Sequence, residues 1–495
     1  MAFVGVTLLI LLPGLLVARA PWTAVPALSL AFWALSLWWT PTTSSRAGVL
    51  VTALVVSLLL MGLRLLPKHE VPPPPGWTGS ETAPAPPRPG LPPPAFSTPA
   101  ARLVLLIALL LVAPAPLWRN APGPRLAYQT TAARLVLWRD GLPVTSEPLL
   151  PLSSFGAHAP ALGTLGADVA RAGGLDPARG VLVVVLVGVA LAVVGAFALF
   201  ATRLPPLAAA TAAVVSLAVF LAPLAVTEAW PEALGWGEAA LGLAFLLPAA
   251  ALLVGHGSRS SAFGAAWLVA AGALAQPALA ALTLAVCGVI VLSRPRAGGR
   301  AAAGRLALVA GVALVLAAPA LLRLVRALSA KETAAIAGGL PAVPSSGPIL
   351  AVLLATLTSV LVGRLATRVA TASPRAAVAV TLVAAGVLAG SVDAWIARGQ
   401  LDERSRRVLE RAGQEADPLE AICAPEALRD WVPALAGRAA AVPGWLPAVY
   451  RDEGEHAAAR SCRDLGDIVS REAGKPLTGS DVLIDRRRGV TLPTR

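Results

Sequence analysis

Twelve apolar stretches recur along this chain, near residues 3-18, 22-40, 47-66, 102-117, 180-201, 205-227, 236-255, 260-275, 278-293, 304-322, 347-366 and 376-397. Crossing a hydrocarbon core of about 30 Å takes roughly 20 helical residues. Lipid offers no partner for backbone N–H and C=O groups, so stretches of this kind fold as helices. The composition fits lipid as the solvent: 56% of residues are hydrophobic, 14% are charged and the mean hydropathy is +0.73. These figures exclude a soluble enzyme. The fold class expected is an all-α polytopic membrane protein with about 12 transmembrane helices. The first stretch occupies the place of a signal peptide. No cation precedes it, however, and cleavage after Ala20 would leave Pro21 at the new N-terminus, so an uncleaved span is expected.

The segment 260-293 decides the count. As one helix it would be about 50 Å long, too long for a single span. Gln276-Pro277 offers a break, because Pro lacks a donor and disfavours helix at the residue before it. Charge supports the hairpin. With it, Arg19, Arg64, Lys68, Arg203, Arg259, Arg294, Arg296, Arg300, Arg305, Arg364, Arg368 and Arg375 fall on one side, as cytoplasmic loops require. Arg46, Arg323, Arg326, Lys331 and Arg398 are exceptions. The net charge of +13 is therefore a matter of orientation, and no nucleic-acid partner is expected. Only three of 40 cations are Lys, which suggests a GC-rich bacterial genome and a bacterial inner (cytoplasmic) membrane.

The expected organisation has four parts. Residues 1-66 hold three N-terminal transmembrane helices, and 67-101 form a Pro-rich cytoplasmic linker with runs at Val71 to Gly76 and Ala85 to Pro94. Residues 102-398 form a membrane core with a large outward loop at 118-179, and 399-495 form an outward soluble domain. From Gln400 the tail carries 15 Lys+Arg and 16 Asp+Glu in 96 residues, against 25 and 11 before it. Leu401 to Gly413 reads as a helix with charges on most faces, and Ala421 to Cys423 and Asp481 to Ile484 read as strands, giving a small mixed α/β domain.

Chemistry belongs in the outward loops. In 118-179, Leu126 to Trp138 has apolar positions at 128, 132, 135 and 136, the spacing of an amphipathic helix lying on the membrane surface. Asp140-Gly141-Leu142-Pro143 would end it, with Gly141 as the left-handed cap. A second helix runs from about Ala159 to Ala172 and stops at Gly173-Gly174. Between them lie Glu147 and His158, a carboxylate and an imidazole able to act as general base and acid, or equally to be solvated interfacial residues. The next outward loop carries Glu228, Trp230, Glu232, Trp236 and Glu238. Aromatics with acids suit sugar recognition, and Trp at a boundary equally suits membrane anchoring.

The phrases Ala133-Arg134-Leu135 with Asp140-Gly141-Leu142-Pro143, Leu234-Gly235-Trp236-Gly237 opening a span, Gln276-Pro277, and Trp431 to Arg438 together resemble the GT-C class of multi-spanning, mannosyltransferase-like glycosyltransferases. The resemblance covers about residues 102-450 and leaves the first three spans as additions. It implies a sugar transferred from a polyprenyl-phosphate donor to a cell-envelope acceptor on the outer membrane face. The implied partners are membrane lipid and the lipid-linked sugar; the donor is a substrate, and a divalent metal is left open. The family carries an acid and then a His near the start of the loop, where this chain has Arg125 and Gln129, and Gln276 also stands where His is common. Arg cannot deprotonate a hydroxyl. Arg125 suits a lipid phosphate instead, with Tyr128, Glu228, Glu232, Trp236 and Glu238 as further substrate contacts. The catalytic candidates are Glu147, Asp140 and His158, and no metal-ligand spacing is present. The rival is a non-catalytic scaffold or a lipid-linked-sugar transporter. Transport predicts ionisable residues within spans, and most spans here have none.

Of the three cysteines, Cys287 lies mid-span as a small apolar residue. Cys423 and Cys462 are both in the tail, and an oxidising compartment would join them.

Overall fold

The computed structural model describes residues 2–15, 23–39, 45–65, 98–112, 127–141, 143, 161–226, 236–255, 259–292, 296–329, 346–397, 401, 403–417, 421–424, 428, 431–440, 483–486 and 489–491. Helices dominate. They are α1 (Ala2–Leu15), α2 (Val25–Trp39), α3 (Arg46–Leu65), α4 (Pro99–Val112), α5 (Ala127–Arg139), α6 (Ala161–Gly173), α7 (Pro177–Ala201), α8 (Pro206–Val226), α9 (Trp236–Gly255), α10 (Arg259–Ala275), α11 (Pro277–Leu292), α12 (Arg296–Ser329), α13 (Ser346–Ala372), α14 (Pro374–Ala397) and α15 (Glu403–Glu415). Each apolar stretch of the sequence falls on a helix. Among the described residues, five are long and apolar enough to cross a membrane: Pro177–Ala201, Pro206–Pro223, Gly237–Val254, Ala302–Leu322 and Pro374–Trp395. The chain is a helical, membrane-embedded protein.

The centre of the bundle is α7, which packs on α4, α5, α6, α8 and α9. Asp176 starts it, its Oδ1 accepting from the Arg179 N–H at 3.0 Å, with Pro177 in the first turn where no donor is needed. Small residues let the helices touch. A Cβ on Gly180 would lie 2.2 Å from the Gly166 carbonyl oxygen, and one on Gly195 would lie 2.5 Å from Pro248, so α7 meets α6 and α9 nearly backbone to backbone. Where helices have no inner neighbour they present aliphatic side chains outward, such as Leu314 and Val315 on α12 and Leu382 and Val383 on α14. The Thr211 and Thr381 hydroxyls, 2.9 Å apart, join α8 to α14.

The N-terminal helices are part of this same core. Leu9, Trp33 and Leu50 belong to the buried cluster that holds Val181 and Leu241, and the indole N–H of Trp33 donates to the Leu9 carbonyl at 2.8 Å. The break at Gln276-Pro277 is where it was expected: Gln276 alone separates α10 from α11.

The tail holds α15, strands β1 (Ala421–Cys423), β2 (Ala439–Ala440), β3 (Leu483–Arg486) and β4 (Gly489–Thr491), and a π-helical turn at Val432–Ala436. The sheet order is β2-β1-β3-β4, with β1 parallel to β2, antiparallel to β3, and β3 antiparallel to β4. Helix α15 is more one-sided than its charges suggested. Leu409 and Ala412 are buried with Trp431, Val432 and Ala434, and a Cβ on Gly413 would meet the Ala436 carbonyl oxygen at 2.2 Å.

Two expectations are corrected. First, α5 is not a surface helix: Gln129, Thr130, Thr131, Ala132, Ala133, Leu135 and Val136 are all buried, because α6, α7 and the π turn enclose it. Amphipathic spacing identified its apolar residues and not the number of partners around it. Second, the left-handed residue after α5 is Asp140, at φ 49°, and not Gly141. A short polar side chain tolerates this backbone when it is hydrogen-bonded locally, and Asp140 is. Gly174, at φ 60°, ends α6 as expected.

Candidate functional site

One corner of the bundle gathers polar groups from α5, α6 and α9. Gln129, buried in the first turn of α5, donates from Nε2 to Glu238 Oε1 at 2.8 Å and accepts at Oε1 from the Gly163 N–H at 3.0 Å. One amide thus ties three helices. Gly163 makes this possible, since a Cβ there would sit 2.7 Å from Ala132 Cβ and 2.8 Å from the Gln129 carbonyl oxygen. Glu238 lies in the first turn of α9, where the helix dipole favours a carboxylate. Around it, the Gly237 Cα is overlaid by Leu162 and Trp395, whose nearest atoms lie 3.2 and 3.5 Å from an added Cβ. One turn further along α9, Gly242 admits Gln276, whose Cβ would be 3.0 Å from a Cβ there. The corner therefore joins Gln129, Glu238, Gln276 and Trp395, with the exposed Asp393 two residues before Trp395.

Of the candidate catalytic and substrate-binding residues, Glu238 is the one whose side chain the structure places in this corner, beside the two amides, Gln129 and Gln276, that stand where the family has His. Tyr128 precedes Gln129 in α5, and Trp236 opens α9 two residues before Glu238. Arg125, Glu147, His158, Glu228, Glu232 and Cys462 lie outside the described residues. Among the described residues, no three His, Cys, Asp or Glu side chains converge on a point that could hold a metal ion.

Asp140 is elsewhere and already engaged. It closes the far end of α5, about 16 Å from Gln129 at 1.5 Å per residue. Its Oδ1 accepts from the Ala47 N–H at 3.2 Å and pairs with Arg171 at 2.6 Å, and its Oδ2 accepts from the Ser45 hydroxyl. Its carbonyl takes the Arg46 N–H at 2.6 Å. Partial burial pushes the carboxyl pKa up, but the bonds from Ser45 and Ala47 and the Arg171 charge outweigh this and hold it below the ordinary range. Asp140 is the cap of α3, and this geometry does not join it to Glu238.

Beside it lies a pair that sequence reasoning missed. Arg46 Nε and Nη2 donate to Asp168 Oδ1 and Oδ2 at 3.0 and 2.6 Å, Nη1 reaches Ser36 Oγ at 3.1 Å, and Nη2 also reaches the Trp33 carbonyl at 3.0 Å. Arg46 was an exception to the charge bias. Its charge is answered inside the protein, so it carries no information on orientation. The signal available was Asp168 itself, an acid in the middle of a mostly apolar helix, which burial obliges to pair.

The tail docks on α5 through Arg134, whose Nη2 donates to the Leu435 carbonyl at 3.0 Å. Gly437, at φ 66°, underlies the guanidinium, and any Cβ there would be 2.2 Å from Arg134 Nη1. Burial lowers the Arg134 pKa from its ordinary value, Glu410 and Asp176 oppose this, and Arg438 adds to it. The Ala133-Arg134-Leu135 and Trp431 to Arg438 phrases are thus in contact. No protein-family model, curated protein or solved structure matches the chain.

Proposed function

We propose that this chain is a glycosyltransferase of the GT-C kind, transferring a sugar from a polyprenyl-phosphate donor to a cell-envelope acceptor at the outer face of a bacterial inner membrane. The observation that carries the proposal is the Gln129–Glu238 pair: a half-buried carboxylate, oriented by a neutral amide, at the corner where α5, α6 and α9 begin. In this reading Glu238 replaces the acid that Arg125 displaces. It takes the proton of the acceptor hydroxyl, whose oxygen forms the new bond to the anomeric carbon. The bond from that carbon to phosphate breaks, and its electron pair leaves with the polyprenyl phosphate. Gln129 positions Glu238, and the buried Trp395 packs over the neighbouring Gly237. Arg125, Tyr128, Glu228, Glu232 and Trp236 complete the donor side. Glu147 and His158, outside the described residues, are the alternative base and its partner in the same reaction.

The same proposal has twelve spans, residues 67-101 inside and a small soluble tail domain outside. The tail's disulfide supports the outward assignment: Cys423 is disulfide-bonded and Cys287 is a free thiol, which leaves Cys462 as the proposed partner. Reporter fusions at Ser80 and Arg495 test the orientation. A cytoplasm-dependent reporter active at Ser80 and silent at Arg495 is expected, and activity at Arg495 overturns it.

A second reading has one observation in its favour. Gln129 and Gln276 are amides where the family has His, as in a scaffold or transporter that holds the lipid-linked sugar without turning it over. Donor binding without transfer by the purified protein would decide for it.

A further inference from the structure

At the end of the bundle opposite Glu238, four arginines have no ion pair with a carboxylate among the described residues. The turn between α7 and α8 packs on the turn between α13 and α14 through Ala208, Ala370 and Ala377, with Leu204 and Leu207 beside them. Arg203 lies in the first turn, Arg375 opens α14, and Arg364 and Arg368 are one helical turn apart at the end of α13. All four are exposed. The sequence has no Asp or Glu between Asp176 and Glu228 or between Glu332 and Asp393. Asp176 and Asp393 sit at the far ends of α7 and α14 from this corner. The cations are therefore not neutralised by the helices that carry them.

Two features beyond charge define what fits. Leu357, Val360, Leu361, Leu365 and Val369 on α13, with Val378, Leu382 and Val383 on α14, continue from the arginines as an exposed apolar face. Arg364 lies within that face, about 12 Å from the end of α13, where a long cationic side chain reaches along apolar surface toward the boundary. Uncompensated charge at this depth is costly unless it is paired, and guanidinium groups match phosphate oxygens bidentately. We propose that this corner is a binding site for an anionic phospholipid, its phosphate held by Arg203, Arg364, Arg368 and Arg375 and its acyl chains lying on the α13 and α14 face. A free phosphate would use the arginines alone; the apolar face specifies a lipid. The site is separated from the Gln129–Glu238 corner by the length of α8, about 32 Å, so it does not depend on the proposed transfer reaction.

Native mass spectrometry of the full chain titrated with phosphatidylglycerol or phosphatidylcholine tests this. Phosphatidylglycerol is expected to be retained at least about tenfold more tightly, since each basic residue near an anionic headgroup contributes roughly fivefold. The R203Q/R364Q/R368Q/R375Q variant should lose that preference, the corresponding four-Lys variant should keep part of it, and Arg139→Gln at the other end of the bundle should keep all of it. If the quadruple variant does not fold, R364Q/R368Q on the exposed face of α13 should still reduce the preference by about tenfold or more. Equal retention of the two lipids, an unchanged preference in the Gln variants, or complete displacement of the lipid by millimolar inorganic phosphate would overturn the site.

Discussion

Arg46 and Asp168, 122 positions apart, meet in a two-pronged ion pair at 3.0 and 2.6 Å in which neither side chain is more than 1% exposed. The pair joins α3 to α6, and the Trp33 carbonyl and the Ser36 hydroxyl each accept a further guanidinium N–H. Removing one partner leaves the other charged and buried, which costs about 3 to 5 kcal/mol, whereas replacing both by apolar groups is close to neutral. Asp168→Leu and Arg46→Met should each sharply lower the thermal unfolding midpoint in detergent, and the double variant should recover most of the loss. A double variant as unstable as the sum of the singles would contradict this.

Asp140 gives a pH dependence with a definite sign. Its folded pKa is held below its unfolded value of about 4. Its contribution to stability is therefore complete above pH 4 and lost as pH falls through the folded value. The carboxylate is 39% exposed, so the effect is modest, under about 1 kcal/mol after solvent screening. Unfolding of the wild type and of Asp140→Asn should converge as pH is lowered from 5 toward 3, in roughly that window. A gap that widens on acidification would refute the capping role.

Much of the helical plan is legible in the residues. Apolar stretches near the bilayer thickness locate α7, α8, α9, α12 and α14, Gln276-Pro277 locates the break between α10 and α11, and the tail strands at 421–423 and 483–486 fall close to where β-rich pieces were expected. Helices such as α7, apolar on every side, have no preferred face, so periodicity cannot say which neighbour they meet. Contacts between distant positions were illegible for the same reason. Gln129 and Glu238 are 109 positions apart, and nothing local in either helix names the other. The cap at Asp140 was misassigned to Gly141 because composition favours glycine at φ > 0, while the bonds that tolerate Asp come from α3.

In the tail, Cys423 is disulfide-bonded, and the proposed partner Cys462 closes a loop with 38 intervening residues. Such a loop restricts the unfolded chain by about 3 to 4 kcal/mol. Maleimide labelling of the denatured, non-reduced protein should modify Cys287 alone, with Cys423 and Cys462 appearing only after reduction. Cys423→Ser should expose the tail to protease. Labelling of Cys462 without reductant would remove the pairing and with it a support for the outward tail.

Glu238 is the residue on which the proposed transfer depends. Full-length protein in lipid nanodiscs, supplied with polyprenyl-phosphate-linked mannose, glucose or arabinose and an envelope extract as acceptor, should transfer one of these sugars. Glu238→Gln keeps the shape and the hydrogen bond to Gln129 but cannot take a proton, so kcat should fall by roughly 10² to 10⁴ while donor binding stays within a few-fold. Wild-type turnover in Glu238→Gln, or donor binding with no transfer by the unmodified protein, would contradict the assignment.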